Sequence, residues 1–157
     1  MHKVSITYKL YHKYLFYINR LRIIKLKLLG SHVGTKVQSY GRFTVVNHPN
    51  LYLGTDIKIN EGVHLNCRDI IEIGDNVHLS SNVQLHTGKL YIEELPRIHS
   101  KAPIKIGTNV WIASGVIVLG GVTIGENTVI AAGSVVTKDI PANVLVAGTP
   151  ARIIRDL

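Results

Sequence analysis

From Ile106 onward a branched aliphatic residue returns at every sixth position, through Ile112, Val118, Ile124, Ile130 and Val136. A period of six fits neither an α-helix nor a half-buried strand, so the chain is expected to fold as a repeating coil. The residue after each aliphatic is mostly small, as at Gly107, Ala113, Gly125 and Ala131. The fifth residue of each hexad is small or β-branched, as at Val110, Val116, Val122, Thr128, Ser134 and Ile140. If a hexad is one short strand and a bend, three hexads close a triangular coil. The six-spaced aliphatics then stack inward, and the small neighbours let the chain turn without a clash. The spacing extends backward through Ile73, Leu79 and Leu85 and, after a two-residue offset near Ile70 and Ile71, through Leu53, Ile59 and Leu65. At least twelve hexads, or four coils, are readable. The expected fold class is an all-β solenoid; an ordinary sandwich would need alternation of period 2.

At 157 residues and 46% hydrophobic content, the chain is sized for one domain with a filled core. It divides into residues 1–30, an N-terminal basic amphipathic helix, and residues 31–157, the solenoid with its tail. Within 8–29, Leu10, Tyr14, Tyr17, Leu21, Ile24 and Leu28 recur at alternating four and three spacing among Lys9, Lys13, Arg20, Arg22, Lys25 and Lys27. That pattern predicts a helix, with Gly30 closing it. Residues 31–52 read as a degenerate first coil, 53–140 as the regular solenoid with a non-repeating excursion near 88–103, and Pro141 and Pro150 as the end of the repeats. The helix's apolar stripe is expected to cap the open end of the solenoid. The alternative is contact of 8–29 with an anionic membrane surface or a lipid-linked glycan.

A single cysteine, Cys67, excludes an intrachain disulfide framework and suits a reducing compartment. The N-terminus shows no small-residue cleavage site, and Lys or Arg interrupts each apolar run short of spanning length. The expected location is the cytoplasm, with peripheral contact at the inner membrane face if the helix meets lipid. A formal net charge of +8 raises nucleic acid as a partner, but the basic residues outside the helix are not interleaved with aromatics and no nucleic-acid module is present. A polyanionic small molecule is the better match.

The run from Ile106 to Leu157 carries "NVWI", "VTIG", "VVTKDIP" and "AGTPAR" in that order. In this it resembles the hexapeptide-repeat acyltransferases, specifically galactoside and maltose acetyltransferases and the O-acetyltransferases of capsule and exopolysaccharide synthesis. The resemblance implies a left-handed parallel β-helix, an exception to right-handed crossovers. It also implies acetyl-CoA as acyl donor, a sugar or glycan hydroxyl as acceptor, a homotrimer, and no metal. Carried onto this chain, it places the pantetheine arm along the backbone at Ser114 and Ala132, Thr137 and Lys138 along the nucleotide end, Arg152 and Arg155 at the phosphates, and Trp111 beside the thioester. Guanidinium groups suit phosphate oxygens.

In that family a histidine of the extended loop takes the acceptor's proton. Its position here is Leu90, which cannot titrate. Three readings stay open: His86 at the loop's entrance supplies the base, His99 at its far end does, or the protein is a catalytically silent CoA-binding homologue. N-acetylation of an amino-sugar nucleotide shares the donor half and also remains open. His64, His78 and His86 do not reproduce the ligand spacing of the metal-dependent carbonic anhydrases of this fold. Cys67 reads as a small wall residue.

Overall fold

The computed structural model describes residues 6–91 and 98–157. Residues 32–147 wind into a left-handed parallel β-helix of about five turns with three flat faces. Face A stacks His32–Val33, Leu51–Leu53, Ile71–Ile73, Ile104–Ile106 and Thr123–Ile124; face C stacks Thr44–Val46, His64–Asn66, Gln84–His86, Ile117–Leu119 and Val135–Val136. Face B stacks Gln38–Ser39, Lys58–Ile59, His78–Leu79, Trp111–Ile112, Val129–Ile130 and Val144–Ala147. The register follows the hexad rule: Ile112 lies between Leu79 and Ile130, and Val118 between Leu85 and Val136. These six-spaced aliphatics are essentially inaccessible, and so are the fifth-position residues Val110, Val116, Thr128 and Ser134. Each buried Leu or Ile contributes about 1.5–3 kcal/mol. The two buried hydroxyls are satisfied, Thr128 Oγ1 donating to Pro141 O at 3.0 Å and Ser134 Oγ to Ala131 O at 2.7 Å.

The corner between faces A and B explains the small second position. Gly54, Gly74 and Gly107 stack so closely that a Cβ on each would lie 2.7–2.9 Å from backbone of the next coil. Two residues later the chain needs a left-handed residue, and Asn76, Asn109, Asn127 and Asn143 supply it with φ of 52–61°. Asn tolerates that region at low cost. Their amides form a ladder up the corner: Asn76 Nδ2 donates to Asn109 Oδ1 at 2.9 Å, Asn109 Nδ2 to Asn127 Oδ1 at 2.9 Å, and Asn127 Nδ2 to Asn143 Oδ1 at 3.0 Å.

Three expectations need correction. Residues 32–46 are not degenerate but form three rungs in register with the coil above, such as Val45 against Leu65. Pro141 does not end the repeats: Val144–Ala147 adds a parallel rung to face B, and only then does Arg152–Asp156 return antiparallel along it. Cys67 is not a wall residue but part of the core, and burial pushes its thiol up to about 12.

A fourth correction, of wider consequence, concerns the helix, α1 (Ile6–Leu28). It ends as predicted, with Gly30 at φ 92°, its N–H on Lys27 O at 3.1 Å and the Ser31 N–H on Leu26 O at 3.0 Å, a Schellman closure. It packs on the first coil through Ile23 and Leu26, the latter 3% exposed, and Asn19 O accepts from Ser39 Oγ at 3.2 Å. The stripe expected to cap the solenoid faces the other way: Leu10, Tyr14, Tyr17, Leu21, Ile24 and Leu28 are all exposed. Covering the first coil falls to Ile23 and Leu26, preceded by the half-buried Leu15 and Ile18 at spacings of three, five and three, with Asn19 and Arg22 between them. Among the described residues no helix is long and apolar enough to cross a membrane.

Candidate active site

The excursion from face C to face A contains a β-hairpin, Gly88–Tyr91 against Ile98–Lys101, with residues 92–97 outside the described part. Thr87 anchors its root: the buried hydroxyl donates to Asn66 O at 2.8 Å and accepts from Asp69 N–H at 2.9 Å, while Thr87 O accepts from Ala102 N–H at 2.9 Å. Across the hairpin Leu90 is directly opposite His99. In an antiparallel ladder directly opposed positions are on one side of the ribbon, about 4.5–5.5 Å apart at Cβ. His99 is therefore the register partner of Leu90, the position where the resemblance led us to expect a histidine, and it is exposed.

His86 is differently placed. It is on the outer side of face C, between Asn66 below and Leu119 above. Its Nε2 is 3.0 Å from Gln84 Oε1; since an amide oxygen only accepts, Nε2 carries the proton and Nδ1 the free lone pair. The His64 ring lies 5.5 Å away. Burial first, and His64 second, hold the His86 pKa below its ordinary 6.5. A histidine whose folded-state pKa is depressed contributes stability that is present above pH 6.5 and erodes as pH falls. His78, lowered by burial and Lys58, acts in the same direction. The melting temperature is thus expected to drop between pH 7.5 and 5.5, and His86→Gln to reduce that drop; an unchanged drop would count against the assignment.

The residues expected to hold the donor fall on two edges of the prism. Ser114 and Ala132 share the B/C edge, one coil apart, with Gly133 N–H on Ser114 O at 2.9 Å. Below them on face B is Trp111, 53% exposed, its Nε1 donating to Ser80 Oγ at 3.0 Å, which fixes the indole. Above them the chain reverses along face B, so that Arg152 pairs with Ala147 next to the B/C edge and Arg155 pairs with Leu145, in the column that rises from Trp111 through Val129. Both guanidinium groups donate to main-chain carbonyls, Ala151 O and Asp156 O, and among the described residues neither meets a carboxylate. The order along the edge is indole, two small residues, then two uncompensated cations, at about 4.8 Å per coil.

Thr137 and Lys138 are elsewhere. They follow Val135–Val136 on face C and precede Ile140, which bridges to Ile124 on face A, so they lie on the C/A edge above the hairpin. Asp139 pins their turn through Thr123 N–H at 2.7 Å. One subunit thus presents an indole, a small-residue wall and arginines on one edge, and His86, His99, Thr137 and Lys138 at or beside the other. Ser80 and Gln84, which orient Trp111 and His86, were not singled out from the sequence, because a hydroxyl or amide in a hexad carries no mark of its partner.

Comparison with known proteins agrees with this geometry. The family description "Bacterial transferase hexapeptide (six repeats)" matches residues 103–138. The galactoside O-acetyltransferase of Escherichia coli (strain K12) is 45% identical over 111 residues, 69% of this chain and 55% of its own length. WcaF of the same organism, named for colanic acid biosynthesis, is 34% identical over 137 residues, 87% of this chain and 75% of that protein. The chain spans about half the length of the first curated relatives it matches. Among solved structures, a galactoside acetyltransferase in complex with coenzyme A superposes with a TM-score of 0.81 at 34% identity, covering 94% of this chain and 79% of that one. A hexapeptide-repeat acetyltransferase of Vibrio cholerae O1 biovar eltor, complexed with acetyl-coenzyme A, gives 0.81 at 33%, covering 88% and 77%. With the repeat match, an identity above 30% over most of both chains and the shared coil, this chain belongs to the hexapeptide-repeat acetyltransferase family.

Proposed function

We propose that the protein is an acetyl-CoA-dependent O-acetyltransferase that modifies a sugar hydroxyl in surface polysaccharide synthesis and works as a homotrimer. The observation that carries the reading is the linear order of the B/C edge. A pantetheine arm is thin and needs a wall of small residues, here Ser114 and Ala132. The nucleotide phosphates need cations at one end, here Arg152 and Arg155, and the thioester then reaches Trp111 at the other. The structural neighbours that bind coenzyme A or its acetyl form support the donor, and WcaF supports the polysaccharide class.

The division of residues between two edges supports the trimer. With three prisms side by side and parallel, the B/C edge of one faces the C/A edge of the next. Trp111 stands on the fourth coil with its Nε1 on Ser80 of the third, and the hairpin grows from the third coil. His99 of one subunit therefore stands at the height of its neighbour's thioester, and Thr137 and Lys138 stand higher, at the nucleotide. Cyclic closure by three completes each site. In this arrangement face C turns toward the threefold axis and takes His86 with it, so His99 is assigned as the general base. Its imidazole accepts the acceptor hydroxyl's proton, the oxygen adds to the thioester carbonyl, and collapse of the tetrahedral adduct releases the ester and the CoA thiolate, to which the proton returns.

A second reading keeps His86 as the base, favoured by its fixed ring and free Nδ1. The direct test is CoA release from acetyl-CoA across a panel of sugars and glycolipid fragments. Wild type should turn over, and Arg152→Ala should raise KM for acetyl-CoA about 10-fold or more with little change in kcat, as expected for a lost charge-assisted contact. Tight acetyl-CoA binding without turnover on any acceptor would instead support a silent homologue.

A further inference from the structure

The fold leaves an apolar stripe along α1 uncovered. Leu10, Tyr14, Tyr17, Leu21, Ile24 and Leu28 are between 45% and 81% exposed, along about 27 Å of helix. At 100° per residue they centre roughly opposite Ile23 and Leu26, which pack on the first coil. An apolar strip of that length is not ordinary surface. Its flanks are basic: Lys13, Arg20 and Lys27 run along one side and Lys25 along the other, all exposed. The helix contains six of the chain's 18 Lys and Arg and none of its ten Asp and Glu. It therefore supplies six of the eight net positive charges.

We propose that this outward stripe is a docking surface for an anionic lipid bilayer, on which α1 lies flat at the headgroup level. Two properties select lipid over a second copy of the chain. The flanking charges are of one sign, so a partner must be anionic along the whole helix, as a phospholipid surface is. The stripe combines leucine and isoleucine with Tyr14 and Tyr17, whose rings can enter the apolar layer while their hydroxyls stay with water and headgroups, and long basic side chains flank them. Because α1 covers the first coil, the bilayer lies at the opposite end of the prism from Arg152 and Arg155. The proposal is independent of the acetyl-transfer reading.

The test is sedimentation of the full chain with vesicles of phosphatidylserine in phosphatidylcholine, against pure phosphatidylcholine. Binding is expected only to the anionic vesicles and is expected to weaken with salt. Lys13→Gln, Arg20→Gln and Lys27→Gln together should lower partitioning about a hundredfold. Leu21→Ser with Ile24→Ser should lower it as well, with melting temperature and sedimentation mass unchanged, since neither residue touches the first coil. Equal or absent binding to both vesicle types would overturn the proposal. So would a change in sedimentation mass of the Leu21→Ser, Ile24→Ser variant, which would identify a second copy as the occupant.

Discussion

His99→Ala is expected to lower kcat by about 10²–10⁴-fold while leaving acetyl-CoA affinity unchanged, because in the proposed mechanism the side chain acts on the acceptor's proton and not on the donor. Its placement makes a rescue possible. Leu90 is the register partner of His99, so Leu90→His in the His99→Ala background returns an imidazole to the same side of the same ribbon. Recovery of a substantial part of the lost kcat would identify the ribbon, not one residue, as the carrier of the base. If His99→Ala keeps full turnover and His86→Ala loses it, the base is His86 and the rescue has no basis. Subunit mixing tests the shared site at the same time. His99→Ala and Arg152→Ala damage different edges, so in randomly mixed trimers about one quarter of sites pair two intact edges. At subsaturating acetyl-CoA the mixture should therefore exceed the mean of the two separate variants, whereas a site built within one subunit would give only that mean.

Gly107→Ala is expected to destabilise the solenoid by about 1–3 kcal/mol, or several degrees in melting temperature, without any change in the site's chemistry. The added Cβ would lie 2.7 Å from Glu126 N and 3.0 Å from Gly125 C, both backbone atoms of the next coil. A side chain in that position could rotate aside, but a rung cannot, because Gly107 N–H and Ile124 O are themselves paired at 2.8 Å. Gly115 offers the contrast: a Cβ there meets nothing within 4 Å, and its φ of 70° is the sole obstacle. Gly115→Asn should accordingly cost little. Comparable melting temperatures for Gly107→Ala and wild type would show that the A/B corner is softer than its spacing implies.

The solenoid was legible in the sequence because its cause is local: each inward residue of a rung is six positions from the next, as from Ile106 to Ile112 and Val118. The helix was half legible. The stripe through Tyr17 and Leu21 recurs regularly at four and three spacing and is the one left outside, whereas Leu15, Ile18, Ile23 and Leu26 recur at three, five and three. Asn19 and Arg22 interrupt the stripe that faces the coil, and a hydropathy pattern cannot tell a polar residue bonded to a neighbouring turn from one in water. The candidate site was legible as residue types from motif resemblance, but not as an arrangement. Nothing in the spacing of Ser114 and Thr137 says that a whole face separates them. Nor does the hairpin announce that Leu90 and His99, nine residues apart, are opposed, because its arms are short and do not alternate cleanly.

The fixed rise per coil divides the chain into a part whose length is free and a part whose length is not. If the donor lies as proposed between Trp111 and Arg152, the number of turns there must match a molecule of constant size, and adding or deleting one turn would displace the cations from the phosphates by about 4.8 Å. Below the hairpin no such ruler applies. The two lowest turns, from His32 to Asn66, hold none of the residues proposed to bind the donor, and on that proposal they set how far the reacting carbonyl would stand above α1. Gaining or losing turns there would retune reach toward acceptors of different length in whole increments, with the catalytic edge unaltered.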